Sequence, residues 1–565
     1  MQINASKFSV KITMKQQRFY YILLLSLLSL NIIAQIPTIG LIQNTHESVN
    51  GYTLFSPNSS NTTYLLDNCG NLVNSWQSSH SPGLSAYLLE NGTLLRTARI
   101  NNQVFTGLGG SGGRIELFDW TGNITWSFDY SDSLHYQHHD IEFLPNGNIL
   151  LLAWEYKTSN AAIDQGRNPA QIGAALFSEH IVEIEPTGTT GANIVWEWHV
   201  WDHLIQDYDT SKSNYGVVQD HPELIDINFP GSSNQDWLHF NSIDYNPLTD
   251  EIIISVHNFS EIWIIDHSTT TQEAASHLGG NSEKGGDLLY RWGNPRAYKR
   301  GNASDQVFWA QHDAHWIDPG LIDEGRIMVF NNGLNQPGSD YSSIDIIEPT
   351  KDSLGHYMLN TNLTYSPDSL FWRFVADPPT SFYSSNISGA QRLSNGNTLI
   401  CEGSSGVFFE IDSIGSTVWN YINPVNQNGP MTQGSNPNGN AVFRCTRYMP
   451  DYSGFIGQNL TAGAPVELMP YPSTCSLFTD IIHQDLSINE NAFLVYPNPA
   501  TSQLSIENFT SEGFIVKIMD LTGNTYITSK GKNNIKIPIS SLPQGVYLLS
   551  IETSNLIYKK LLLKI

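Results

Sequence analysis

Three histidines in matching surroundings are the residues of this chain best suited to chemistry. His139-Asp140-Ile141-Glu142-Phe143-Leu144 and His312-Asp313-Ala314-His315-Trp316-Ile317 align without a gap. Between them lies Asp236-Trp237-Leu238-His239-Phe240-Asn241-Ser242-Ile243-Asp244-Tyr245. Imidazole changes charge near neutral pH, so it serves as nucleophile, general acid or general base. Three imidazoles at equivalent strand starts meet wherever those strands converge. A histidine pair on converging strands would also suit a metal, but only Asp140 and Asp313 accompany it as carboxylates, so no metal site is expected. Strand alternation predicts that His138 and His139 point to opposite faces, and His312 and Asp313 likewise.

The elements that must position these residues come as a repeat. An acidic residue, a turn Gly and a Trp are followed by an apolar strand closed by Asn-Gly. The phrase reads Asp67…Gly70…Trp76 then Leu88-Leu89-Glu90-Asn91-Gly92, returns as Asp119…Gly122…Trp126 then Phe143-Leu144-Pro145-Asn146-Gly147-Asn148, and again as Asp412…Gly415…Trp419. Asn-Gly between apolar runs is a strong hairpin signal, and runs such as Ile252–Val256 are β-branched and short, hence strands. Six repeats fit between about Thr53 and Gly457, with inner halves at Leu84–Leu95, His139–Leu151, His239–Ser255, His312–Phe330, Ser388–Ile400 and Arg444–Phe455. Such repetition predicts an all-β fold, a six-bladed β-propeller whose innermost strands line a central channel. A β-sandwich would not explain the repeat. Two long insertions, Glu155–Glu179 and His199–Asp236, break it and are expected to form rims or lids.

The 565 residues carry 53 Asp+Glu against 28 Lys+Arg, a net charge of −25, which argues against nucleic acid and anionic membranes as partners. Lys15, Arg18 and the apolar run Tyr20–Ile33, ending at Ala34-Gln35, read as a signal peptide over 1–35, with Met14 the better start. No later apolar run is long enough to span a bilayer as a helix. In an exported chain the four cysteines can pair, and Cys445–Cys475 is the preferred pair, with Cys69 and Cys401 as buried small hydrophobes. The propeller is expected over 36–488 and a small β-sandwich over 489–565, with strands at Gln503–Ile506, Phe514–Asp520, Ile535–Pro538 and Val546–Ile551.

That last region resembles the C-terminal sorting domain of the type IX secretion system. The resemblance lies in Tyr496-Pro497-Asn498-Pro499, Asp520-Leu521-Thr522-Gly523, Leu542-Pro543-Gln544-Gly545-Val546-Tyr547 and the basic-apolar end Lys559–Ile565. It implies type IX machinery as a partner, passage across the outer membrane to the surface or medium, and removal of the tail.

The larger part resembles the exported, nucleotide-independent arylsulfate sulfotransferases. The resemblance is carried by Asp236–Tyr245, Gly285-Gly286-Asp287-Leu288-Leu289-Tyr290-Arg291-Trp292-Gly293-Asn294-Pro295, Gln311–Trp316, Val329–Gly333 and Gln391–Ile400. It implies a six-bladed propeller and ping-pong transfer of a sulfuryl group from an aryl sulfate to a phenol through a sulfated histidine, with no cofactor. His239 matches the histidine of the family's Trp-x-His-x-Asn-Ser motif and His312 that of its Gln-His motif, so both are the expected catalytic residues. His139, Asn241, Arg444 and Trp316 are the expected substrate contacts. The chain departs from the family twice: Leu334 follows Asn332-Gly333 where the family has Arg, and Ser388 stands where a later-blade carrier histidine is expected. Arg444 is the candidate for replacing the lost positive charge. The alternative reading is an inactive propeller that binds sulfated or aromatic ligands.

Overall fold

The computed structural model describes residues 37–469, 475, 477, 493–508, 513–519, 525–553 and 557–564. The expected signal peptide and the Thr522-Gly523-Asn524 turn lie outside the described residues. The chain divides into two units, Met1–Leu477 and Phe478–Ile565. Among the described residues, no helix is long and apolar enough to cross a membrane.

The first unit is all-β. Its strands of three or more residues, in chain order, are β1 (Gly40–Asn44), β2 (Tyr52–Pro57), β3 (Thr62–Asp67), β4 (Leu72–Gln77), β5 (Pro82–Leu88), β6 (Leu94–Arg99), β7 (Gly113–Phe118), β8 (Ile124–Asp129), β9 (His135–Phe143), β10 (Ile149–Thr158), β11 (Ala175–Thr187) and β12 (Gly191–His199). After the long insertion come β13 (Phe240–Asn246), β14 (Glu251–Val256), β15 (Glu261–Asp266), β16 (Tyr290–Trp292), β17 (His312–Trp316), β18 (Ile327–Asn331), β19 (Ser343–Ile347) and β20 (Trp372–Phe374). The last five are β21 (Gly389–Arg392), β22 (Thr398–Glu402), β23 (Val407–Ile411), β24 (Thr417–Ile422) and β25 (Val442–Tyr448).

They form six antiparallel sheets: β5–β8, β9–β12, β13–β16, β17–β20, then β21–β24 with β1 added on its outer edge, and β25 with β2–β4. The sixth sheet corrects the repeat reading. Arg444–Phe455 is no inner hairpin, because β25 pairs with β2 from the start of the chain (Phe55 opposite Cys445) and Ser453–Phe455 is a 3-10 turn.

The Asp…Gly…Trp phrase has a local and a long-range cause. The Asp side chain accepts from backbone N–H groups across its own turn, as Asp67 does from Cys69 and Asn71 at 2.9 Å each. The Trp, on the fourth strand of its sheet, donates its indole N–H to the neighbouring sheet: Trp76 to the Asp119 carbonyl, Trp126 to that of Gly191, Trp292 to that of Pro367 and Trp419 to that of Asn68. Apolar clusters lie between successive sheets. One joins Leu95 and Trp126 of the first sheet to Ile141 and Ile149 of the second, and another joins Leu65 and Trp76 of the sixth to Leu94 and Phe118 of the first. Burying such faces at ~25 cal/mol per Å² is the main force holding sheet on sheet.

The expected Cys445–Cys475 pair is not formed. Cys475 is bonded to Cys69, and Cys401 and Cys445 are free and buried. Cys445 sits on the innermost strand and packs into the core between the fifth and sixth sheets. Cys69 lies instead in the outer Asp67–Asn71 turn, and the segment beyond β25 runs past it, with Leu72 N–H donating to the Ala464 carbonyl.

In the second unit, one sheet joins Phe493–Tyr496, Gln503–Asn508 and Ile535–Pro538, and another joins Thr525–Gly531, Phe514–Met519, Gly545–Glu552 and Ile557–Lys564. Alternate residues from both sheets, among them Leu504, Ile506, Val516, Ile537 and Leu549, bury one apolar core.

Candidate functional site

The innermost strands do not alternate cleanly at their starts. In five of the six, β5, β9, β13, β17 and β25, the pairing with the next strand slips by a bulge. Leu84, His139, His239, Asp313 and Ser388 all have left-handed backbone (φ 105°, 49°, 57°, 56° and 89°). A bulge turns consecutive side chains toward the same space. The expectation that His138 and His139 point apart therefore fails, since their Nδ1 atoms are 2.8 Å apart. Asp313, at its own bulge, reaches Arg444.

Four imidazoles form a chain of ring contacts, two of them edge-to-face and the middle one tilted. His139 and His239 have ring centroids 4.5 Å apart, His239 and His257 5.0 Å, and His257 and His312 5.4 Å. His139, His239 and His312 are thus in one cluster, with His257, which the sequence did not single out, standing between the last two. His139 and His312 are each only 2% exposed, whereas the His239 side chain keeps 17%. A glycine-rich segment covers the cluster: the His139 N–H donates to the Gly110 carbonyl, and a Cβ at residue 110 would collide with the His139 ring.

Carboxylates fix the rings from behind. His239 Nδ1 donates to Asp236 Oδ2 at 2.5 Å, and Asp236 Oδ1 accepts from the Trp154 indole at 3.0 Å. Burial raises the proton affinity of Asp236, but the charge and hydrogen bond of His239 outweigh it, so the carboxyl is held below its usual range. With Nδ1–H engaged, the Nε2 lone pair of His239 is left for chemistry. His139 is held at one remove: His138 Nε2 lies 2.7 Å from Glu179 Oε2, and His138 Nδ1 meets His139 Nδ1. Burial, then the neighbouring imidazoles, push His139 well below the usual imidazole range, so it is neutral at pH 7. Burial, then Asp236, push Glu179 up. This makes Glu179 a ready terminus for a proton passed back through His138.

His312 is differently placed. Its Nδ1 lies 2.8 Å from Asn332 Oδ1, and its Nε2 accepts the Ile387 N–H at 3.1 Å. Both nitrogens are engaged, so the ring bridges the fourth and fifth sheets. Asn241 is fully buried, donates its side-chain amide to the Gln311 carbonyl and accepts from Arg444 Nη2 at its backbone carbonyl.

Arg444 lies one step further along β25 and is not a free cation. Its Nη1 donates to Asp140 Oδ2 at 2.6 Å and to Tyr87 Oη at 2.9 Å, and its Nε lies 2.8 Å from Asp313 Oδ1. Tyr87 in turn donates to Asp140 Oδ1 at 2.6 Å. Side chains from β5, β9, β17 and β25 thus meet on one guanidinium. Trp316 lines a cavity of ≈ 260 Å³ on the far side of Arg444, together with Glu142, Asp244, His315 and Gln391, rather than the histidine cluster. In that cavity burial raises Asp244 to about 6, so it gains a proton before an ordinary carboxylate would.

Sequence reasoning missed Asp236, His257, His138 and Glu179 as partners. Asp236, three residues before His239, was the one visible signal. Glu179 stands 41 residues from the His138 it bonds.

Similar solved structures include a protein of unknown function from Bacteroides caccae (12% identity over 71% of this chain and 99% of that one, TM-score 0.38). Two others are a catalytically inactive virginiamycin B lyase from Staphylococcus aureus with quinupristin (9%, 69% and 90%, TM-score 0.30) and the calcium-binding protein regucalcin from Agrobacterium tumefaciens (9%, 65% and 86%, TM-score 0.27). At TM-scores this low none of the three bears on function. No curated protein matches the chain. Residues 494–564 match the secretion system C-terminal sorting domain, the address of type IX export across the outer membrane to the cell surface or the medium. Residues 30–439 match the arylsulfotransferase (ASST) model, and with that span covered the chain belongs to the arylsulfotransferase family.

Proposed function

We propose that the six sheets are the blades of a six-bladed β-propeller, over roughly 36–488, followed by a sandwich-like sorting domain, and that the protein moves a sulfuryl group from an aryl sulfate to a phenol at the His139–His239 pair. The observation that carries this reading is the facing of two imidazoles from adjacent sheets, His239 with the Asp236 carboxylate behind it and His139 linked to the Glu179 carboxylate through His138. His139 is the carrier and His239 the acid/base. In the first half-reaction the His139 Nε2 lone pair attacks sulfur. The bond from sulfur to the aryl oxygen breaks, its electron pair stays on that oxygen, and protonated His239 protonates the departing phenolate. The His139 Nδ1 proton passes to His138 Nδ1 as the His138 Nε2 proton passes to the Glu179 carboxylate, which leaves the sulfated ring neutral. In the second half-reaction these protons return, His239 takes the proton of the acceptor phenol, and the phenol oxygen displaces the imidazole from sulfur. His312 positions the fifth sheet against the cluster. Asn241 and Arg444 hold the strands in place, and Trp316 faces the opposite cavity.

The experiment is turnover of p-nitrophenyl sulfate with phenol and no nucleotide donor, followed by peptide mapping of protein trapped with donor alone. A phenol-dependent release of p-nitrophenol with sulfate on His139 is expected. The paired state of Arg444 and the engaged nitrogens of His312 favour one rival, a ligand-binding propeller, which would bind aryl sulfates without turning them over.

A further inference from the structure

We propose that His203, His277 and Asp287 bind a divalent transition metal of the zinc kind, which straps the long insertion to the outer loop of the third sheet. This site lies outside the histidine cluster and does not rest on the sulfuryl-transfer reading. The three ligand atoms lie within 4.8 Å of one another. His203 ends the 3-10 turn Val200–His203 just after β12, whereas His277 and Asp287 flank the loop that leads into β16. Asp287 Oδ1 receives both rings on one oxygen, His203 Nδ1 at 2.8 Å and His277 Nδ1 at 2.7 Å.

The tautomer of His203 makes this arrangement informative. Its Nε2 faces the Ala274 carbonyl at 2.8 Å and must therefore be the N–H donor. In the neutral ring Nδ1 then carries a lone pair, aimed at a carboxylate oxygen that is also an acceptor. Two lone pairs at that distance require a cation between or beside them, either a proton or a metal. A metal-bound histidine commonly donates its second ring nitrogen to a backbone carbonyl, which is the bond His203 makes.

The rest of the surroundings is rigid where a ligand should be rigid and open where an ion must enter. His203 is fully buried, its ring lies parallel to Trp198 (5.5 Å, 7°), and the Trp198 indole donates to the Gly286 carbonyl at 2.7 Å. A Cβ on Gly286 would strike both the Ala274 carbonyl and the His203 ring, so glycine is what lets the two meet. His277 is 61% exposed and gives the open side, where water completes a tetrahedron. Zinc–nitrogen bonds of about 2.0–2.1 Å place tetrahedral donors about 3.3 Å apart. The present contacts would open by roughly half an ångström to admit the ion.

The test is calorimetric titration of the full-length protein, stripped with a chelator, with Zn²⁺, alongside the variants His277→Ala and Asp287→Asn. His277 is exposed, so its variant should fold. One Zn²⁺ per chain is expected, with affinity at least tenfold weaker in both variants. Zn²⁺ should raise the melting temperature of the wild type and leave that of His277→Ala unchanged. Turnover of p-nitrophenyl sulfate should be the same in His277→Ala as in the wild type. A wild type that takes up no Zn²⁺, or a His277→Ala protein that binds it equally well, overturns the proposal and leaves His203 as a protonated ring paired with Asp287.

Discussion

Replacing Asp236 by Asn should cost this protein most of its transfer activity and little of its fold. The substitution keeps the volume, and the amide oxygen can still accept the Trp154 indole, which now donates to Oδ1 at 3.0 Å. It removes the negative charge facing His239 Nδ1 at 2.5 Å. A buried hydrogen bond to a charged partner contributes about 1.5–3 kcal/mol. The imidazolium that His239 becomes when it takes the acceptor proton depends on that charge, whereas neutral His239 depends on it less. Most of the loss should therefore fall on the transition state. At 1.36 kcal/mol per tenfold, kcat/KM should drop about 10- to 150-fold. The assay is release of p-nitrophenol at saturating donor with phenol varied, with the melting temperature measured on the same preparation and Asp236→Glu as the charge-keeping comparison. A variant within threefold of the wild type at an unchanged melting temperature would refute the acid/base assignment. His239 would then be a packing residue.

Further outcomes follow from the same geometry. His139→Ala should abolish both turnover and covalent labelling, while Glu179→Gln should slow turnover and still give labelled His139, as read by peptide mass spectrometry. Burial, then the charge of His239, lower His257 to about 4, below the ~6.5 of an unfolded imidazole. The unfolded chain therefore binds the extra proton, and stability should fall as pH drops from about 6.5 toward 4. Urea melts at pH 7 and pH 5 should show His257→Asn losing about 1–2 kcal/mol less than the wild type, the ring being only partly buried. Arg444→Met should leave Asp140 and Asp313 without their shared cation and cost about 3–5 kcal/mol in the same melts. Cys69→Ser should lower the unfolding free energy by about 2–5 kcal/mol, and a reductant should do the same to the wild type but not to the variant.

Much of the architecture is written locally in the chain, and that part was legible. An Asp that caps its own turn, a Gly within it and a Trp a few residues on need nothing remote to be recognised. What needed partners far apart was hidden. β25 reads as the start of a hairpin, but it pairs with a strand near the beginning of the chain, and Arg447 on it bonds Thr53 across 394 residues. Strand alternation misdirected His138 and His139 because β9 carries a bulge between Gln137 and Ile141 that its own residues do not announce. Likewise Cys69 looked like a buried apolar residue because nothing in its own turn announces the segment that passes it. The His203, His277 and Asp287 group went unseen for the same reason, its members standing 84 and 10 residues from Asp287.

The sixth sheet borrows three strands from one end of the first unit and its innermost strand from the other, so completeness is judged at a single seam. A chain released by the ribosome before Val442 leaves β2 with an unsatisfied edge open to strangers. Such a chain also lacks residues 494–564, which carry the export address. The export address is thus made only after the strand that closes the sixth sheet.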